Sequence, residues 1–251
     1  MRFAPLRIAS LLLLAGSLAG CIRYEYDHEF WLDTDGSGTV YVAGRPALWA
    51  AFKGVGTTED PEKTISREEL RRLFERSGLR VRRVLRNRRA GKTYLFVAAT
   101  FKDVNALAGS PAFPDLAIHL GRDGEDLRLE GAWRRSADTR EIDASERQGL
   151  MAVRFHLPSR VHEHKNAAEG VERGNILSWR QDVAQGFEGQ PLVFGARMGR
   201  KSILSATVTL FLSSILAAAA FVTLLLYIAY RHGKRRLAQE RRESPGRPPV
   251  V

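Results

Sequence analysis

From Ser202 to Tyr230 the chain runs for 29 residues without a charged side chain. Roughly 20 such residues cross ~30 Å of hydrocarbon as a helix, so no other feature restricts the fold as much: the run is too long and too apolar to be left in water. A transmembrane helix is predicted over 202–230. Tyr227 and Tyr230 stand at one end, where amphipathic rings suit an interface, and Arg231, Lys234, Arg235 and Arg236 follow at once. Arg197, Arg200 and Lys201 lie on the other side, leaving the basic excess beyond Tyr230, so the positive-inside bias assigns 231–251 to the cytoplasm and the body of the chain to the outside. That last stretch, rich in Arg and Pro with no apolar period, is predicted to be a disordered basic tail. Ser213, Ser214 and Ala217 to Ala220 are small enough to admit a partner helix, or simply face lipid.

The other end carries a second membrane signal. Arg2 and Arg7 precede an apolar run centred on Leu11 to Leu14, and Leu18-Ala19-Gly20 leads to Cys21. A basic start, a short apolar stretch and small residues at the cleavage point make a secretory leader, and a cysteine directly after Leu-Ala-Gly is the position that becomes diacylated in bacterial lipoproteins. Residues 1–20 are therefore read as a lipoprotein signal peptide and Cys21 as the lipidation site. Cys21 is the only cysteine, so neither an intramolecular disulfide nor a cysteine metal cluster can form. With both ends attached, the expected location is the cytoplasmic membrane, with the domain 21–200 extracytoplasmic.

A formal charge of +11 invites comparison with nucleic-acid binders, but most of it flanks the membrane segments, and residues 21–196 carry only +1. No nucleic-acid partner is expected. Within the domain the charge is uneven: Lys63 to Lys92 holds twelve Lys/Arg against Glu68, Glu69 and Glu75. Arg67, Arg71, Arg80, Arg82, Arg86, Arg88 and Arg89 are thus candidates for contact with anionic headgroups or an envelope protein partner. Equally, they could form a solvated helix face and a charged sheet edge that resists aggregation.

Periodicity predicts an α+β domain built on an antiparallel sheet with two or three short helices. Tyr24, Tyr26, His28, Phe30 and Leu32 alternate with polar residues, and Asp33 to Gly38 turns the chain into Thr39 to Val42. Arg45 to Lys53 reads as a helix. Ser66-Arg67-Glu68-Glu69 is a capping box opening another helix, with Leu70, Leu73 and Phe74 on its apolar side and Gly78 beyond its end. Leu79 to Arg89 and Thr93 to Phe101 read as strands joined at Ala90-Gly91, with a short helix over Asp103 to Ala108. Leu116 to Leu120, Leu127 to Trp133 and Leu150 to Leu157 follow as strands, and Asn175 to Trp179 and Leu192 to Ala196 are expected to close the sheet.

Candidate chemistry is sparse. Asp33, Asp35, Ser37 and Gly38 match half of a calcium loop, but the twelfth place holds Gly44 instead of a bidentate Glu, so a plain hairpin turn is expected. His162-Glu163-His164, with His156 nearby, could supply zinc ligands, although the spacing provides no recognised open site and a solvated polar loop accounts for it as well. No phosphate-cradling loop, nucleophile elbow or paired carboxylate motif is present, and no cofactor is expected.

The Leu-Ala-Gly-Cys21 lipobox, the Asp35 to Gly38 turn, Leu157-Pro158-Ser159-Arg160-Val161, Asn166, and Asn175-Ile176-Leu177-Ser178-Trp179 ahead of a C-terminal membrane helix together resemble the LppM-type bacterial lipoproteins. The resemblance implies an envelope role with lipid or glycolipid contact and no reaction; the basic stretch has no counterpart in it. The expectation is a dually anchored, non-enzymatic envelope lipoprotein. The alternative is a metal-dependent periplasmic enzyme using His156, His162 and His164.

Overall fold

The structure, a computed structural model, describes residues 24–136, 139–168, 170–171 and 175–243. The leader and Cys21 lie outside the described residues. The chain divides into two units, one through Ser202 and one from Ile203.

The first unit is α+β with two sheets rather than one. Strands β1 (Tyr24–Leu32), β2 (Gly38–Gly44), β3 (Arg80–Arg89), β4 (Lys92–Phe101), β7 (Leu150–His156) and β9 (Ile176–Asp182) form a six-stranded sheet in the order β3-β4-β2-β1-β7-β9. Strands β5 (Leu116–Asp123), β6 (Asp126–Trp133), β8 (Val161–Lys165) and β10 (Leu192–Gly199) form a four-stranded sheet in the order β5-β6-β10-β8. The expectation that 175–179 and 192–196 close one sheet is corrected here, since they enter different sheets. The large sheet is also not wholly antiparallel, because β1 pairs parallel with β7. That is possible because almost the whole domain lies between them in sequence, ample for the crossover a parallel pair demands.

Local chemistry explains most element boundaries. The Ala90-Gly91 turn has positive φ at both residues (47° and 79°), the two-residue geometry that matches strand twist. In the Asp33–Ser37 turn, Asp35 accepts from the Ser37 amide (2.9 Å) and hydroxyl (2.7 Å), so the would-be calcium oxygens serve the turn itself. Helix α1 (Pro46–Lys53) starts on proline, ends at Gly54 in the left-handed region and is buried along its whole length. A single turn, α2 (Pro61–Thr64), precedes α3 (Arg67–Arg76), where Ser66 Oγ accepts from the Glu69 amide at 3.0 Å. The other half of the capping box is redirected, for Glu69 Oε1 accepts from the Gly56 amide. A last short helix, α4 (Val183–Phe187), links β9 to β10.

One face of the large sheet bears the core. Tyr26, His28, Phe30 and Leu32 of β1 point into it together with Val40, Val42, Leu95, Val97, Val153 and Phe155, all buried. Near β3 and β4 it is covered by α1 and α3, with Trp49 against Phe74 (6.1 Å between rings). Near β7 and β9 it is covered by the small sheet, with Phe155 and Trp179 against Phe194 (5.2 and 5.8 Å).

The second unit is helix α5 (Ile203–Glu243). Within it Thr207–Lys234 is apolar and long enough to cross a membrane, and its large side chains are exposed. The disorder expected from 231 gives way to helix as far as Glu243.

Candidate functional site

The strand period that buries half of β1 sends the other half to the opposite face of the large sheet. Among the described residues no helix or second sheet covers that face. The register gives rungs that run across all six strands. Arg83, Ala98, Tyr41, Glu29, Arg154 and Ser178 form one, and Arg80, Thr100, Thr39, Trp31, His156 and Ile176 form the next. Small residues alternate with aromatic and charged ones, so Trp31 is left 48% exposed.

The central strands carry a connected ionic group. Arg154 Nη2 lies 2.5 Å from Asp27 Oδ2 and 3.3 Å from Glu29 Oε2, and its guanidinium sits 5.5 Å from the Tyr24 ring centre. His156 Nε2 is 2.6 Å from Glu29 Oε1, and its ring stacks on Trp31 at 3.6 Å between centres. Burial raises the Asp27 pKa despite its bond to Arg154. Burial also pulls on Glu29, but the His156 hydrogen bond and the Arg154 charge prevail and hold it below 4.5. Every charge here is answered by a neighbour, so the group orders the centre of the face.

The basic segment forms one border of this face. Arg67 and Arg71 lie on α3, which packs against β3, the edge strand. Arg80, Arg82, Arg86, Arg88 and Arg89 are all exposed on β3. A bulge between Val81 and Arg83 splits them. Arg80 and Arg83 join the open face, opposite Thr100 and Ala98. Arg86 and Arg88 pair with Leu95 and Thr93 and point the other way, where Arg86 donates to the Ile65 carbonyl at 2.9 Å. Among the described residues, Arg71 pairs with Glu75 (3.8 Å), whereas Arg67, Arg80, Arg82, Arg83, Arg88 and Arg89 have no carboxylate within ion-pair distance.

The proposed metal ligands are not brought together. His156 belongs to the large sheet and is engaged by Glu29 and Trp31. His162 and His164 lie on β8 of the small sheet, a strand where a loop is the simpler expectation; His162 Nδ1 is 3.1 Å from Asp126 Oδ2. His164 lines a shallow cavity of about 400 Å³ floored by Gly131 and Gly195. Its arginines, Arg128 and Arg197, are already matched by Asp123, Glu130, Asp126 and Glu163. Among the described residues, no group of three or more His, Cys, Asp or Glu side chains is placed to hold a metal.

The sequence did not single out Asp27, Glu29, Trp31 or Arg154. The first three sit at the odd positions of the β1 alternation, which is a usable signal; Arg154 becomes their neighbour only through the long-range parallel pairing.

The chain matches no protein-family model and no curated protein. Among solved structures it is similar to the folded domain of the Mycobacterium tuberculosis LppM protein, determined by NMR. The match has 16% sequence identity and a TM-score of 0.37, and covers 72% of this chain and 92% of that one.

Proposed function

We propose that this chain is an LppM-type envelope lipoprotein, held at the cytoplasmic membrane by a diacylated Cys21 and the helix at 202–230. Its extracytoplasmic domain is non-enzymatic and contacts anionic lipid or glycolipid headgroups, or an envelope protein of matching charge. The supporting observations are the row of arginines on β3, exposed and, among the described residues, without carboxylate partners, and an apolar helix elsewhere in the chain that is long enough to span a bilayer. A basic residue near an anionic leaflet contributes ~1 kcal/mol, so several aligned ones suffice for selective headgroup contact.

The test is to purify the full chain from membranes in mild detergent and quantify co-purifying phospholipid by mass spectrometry. Replacing Arg80, Arg82 and Arg86 together with serine is expected to lower the acidic lipid several-fold while leaving zwitterionic lipid unchanged. An unaltered lipid profile sinks the headgroup reading. Absence of a diacylglycerol mass on the Cys21 peptide sinks the anchoring.

A further inference from the structure

An open sheet ends in rows of backbone N–H and C=O groups that its own ladder does not pair, and three of the four edges here are shortened or engaged by the chain itself. Along β5 the Asn105 side chain bonds both the amide and the carbonyl of Leu120 (2.6 and 3.1 Å), and the Gly109 amide donates to the Leu116 carbonyl. Along β9 the Ala168 amide donates to the Ser178 carbonyl at 2.9 Å. Strand β8 is five residues long, and its last carbonyl, that of Lys165, accepts from Trp179 Nε1.

The fourth edge, β3, is treated differently. It is ten residues long and pairs with β4 on one side. Bonds alternate along an antiparallel ladder, so every second residue of β3 turns its N–H and C=O away from β4. Among the described residues no backbone or side-chain group bonds to that row; Arg86 and Arg88 donate instead to the Ile65 and Gly91 carbonyls, outside the strand. What guards the row is charge. Strand β3 carries six exposed arginines, and neither it nor β4 contains an acidic residue. Arg80 and Arg83 stand on the open face and Arg86 and Arg88 on the other, so cations flank the row from both sides.

That charge selects the occupant. A second copy docked edge to edge would set arginine against arginine, which is how charged edges resist self-association. Headgroup phosphates answer guanidinium charge but bring no row of N–H and C=O groups to continue the ladder. An extended segment rich in Asp and Glu does both: its backbone pairs with the edge, and its carboxylates lie opposite or diagonal to the guanidinium groups. Resting on the reading that the β3 arginines are the contact surface, and narrowing it to a protein partner, we infer that β3 accepts an acidic strand from that partner as a seventh strand of the large sheet.

Fluorescence anisotropy tests this on the full chain in non-ionic detergent, with the labelled peptide Glu-Thr-Glu-Val-Glu-Thr-Glu as probe. A second probe is the same peptide methylated at every backbone nitrogen, which keeps the charge and loses the donors. The first peptide is expected to bind, and the methylated one to bind at least ~10-fold more weakly, since several backbone hydrogen bonds are lost together. The variant with Arg80, Arg82 and Arg86 replaced by serine is expected to lose affinity for the first peptide while its far-ultraviolet circular dichroism is unchanged. Equal affinity for the two peptides overturns strand addition, because charge alone then accounts for binding. If neither peptide binds while the same variant still loses co-purifying acidic lipid, the strand is overturned and headgroup contact stands. If neither peptide binds and the lipid profile is unaltered, both fall.

Discussion

Replacing Lys53 by methionine tests how the core of the domain is held together. Lys53 Nζ lies 2.9 Å from Asp115 Oδ1, and neither side chain has any exposed surface. The other carboxylate oxygen accepts from Trp133 Nε1 at 2.6 Å, and the ammonium sits 5.0 Å from the Phe113 ring centre. Burial lowers the Lys53 pKa even though Asp115 pulls it upward, so desolvation is the larger influence. Removing the amine strands a carboxylate in the core with one hydrogen bond, which costs ~3–5 kcal/mol. At 2–4 °C per kcal/mol for a domain of this size, Tm should fall by ~10 °C. Replacing both partners, Lys53→Met with Asp115→Leu, removes the stranded charge and leaves only Trp133 Nε1 without its acceptor, a cost of ~1–3 kcal/mol. The double variant is therefore expected to be more stable than Lys53→Met alone. Thermal unfolding followed by tryptophan fluorescence measures both, and a double variant whose loss equals the sum of the two single losses refutes the reasoning.

His28 is fully buried with neither ring nitrogen bonded to another protein group, and burial, reinforced by the Lys53 charge, holds its pKa well below 6.5. The unfolded chain takes up that proton first, so this contribution is complete above pH 6.5. It is lost as pH falls below 6.5, at up to ~1.4 kcal/mol per pH unit; denaturant titrations at pH 7 and 5.5 should show the loss, and His28→Phe should flatten it. Gly131→Ala places a methyl group against the Ala117 carbonyl oxygen and the Phe194 ring between β5, β6 and β10, and its denaturation midpoint should fall by an amount corresponding to ~1–3 kcal/mol. Glu29→Gln weakens the contact that holds His156 on Trp31; the Trp31 share of the emission should change while far-ultraviolet circular dichroism does not.

Sequence periodicity located most strands and the longer helices because their signals are local: alternation in β1, a capping serine before α3, a two-residue turn after β3. It failed where neighbours are distant. Nothing near Leu150 announces a parallel partner more than a hundred residues earlier, and the division into two sheets depends on whether β9 and β10 pair with β7 or with β6. Strand β8 was obscured by its composition, Val-His-Glu-His-Lys, a strand with no buried position to give an alternating signal. Lys53 and Asp115 read as ordinary surface charges in sequence, and only the fold brings them within 2.9 Å inside the core.

The arginine-rich edge strand shows packing deciding where charge goes. Val81 and Val84 are both buried, yet they are three residues apart, and a regular strand with a period of two puts such positions on opposite faces. The bulge between Val81 and Arg83 resolves the conflict by leaving Arg82 out of the ladder. Burying a second valine contributes ~1.5–3 kcal/mol, more than the ~1 kcal/mol lost with a ladder hydrogen bond. Arg80 and Arg83 are thereby brought onto one face, while Arg86 and Arg88 are sent to the other. Core packing thus decides the placement of these charges, since the apolar pair sets the register and the register selects which cations share the face bearing Trp31.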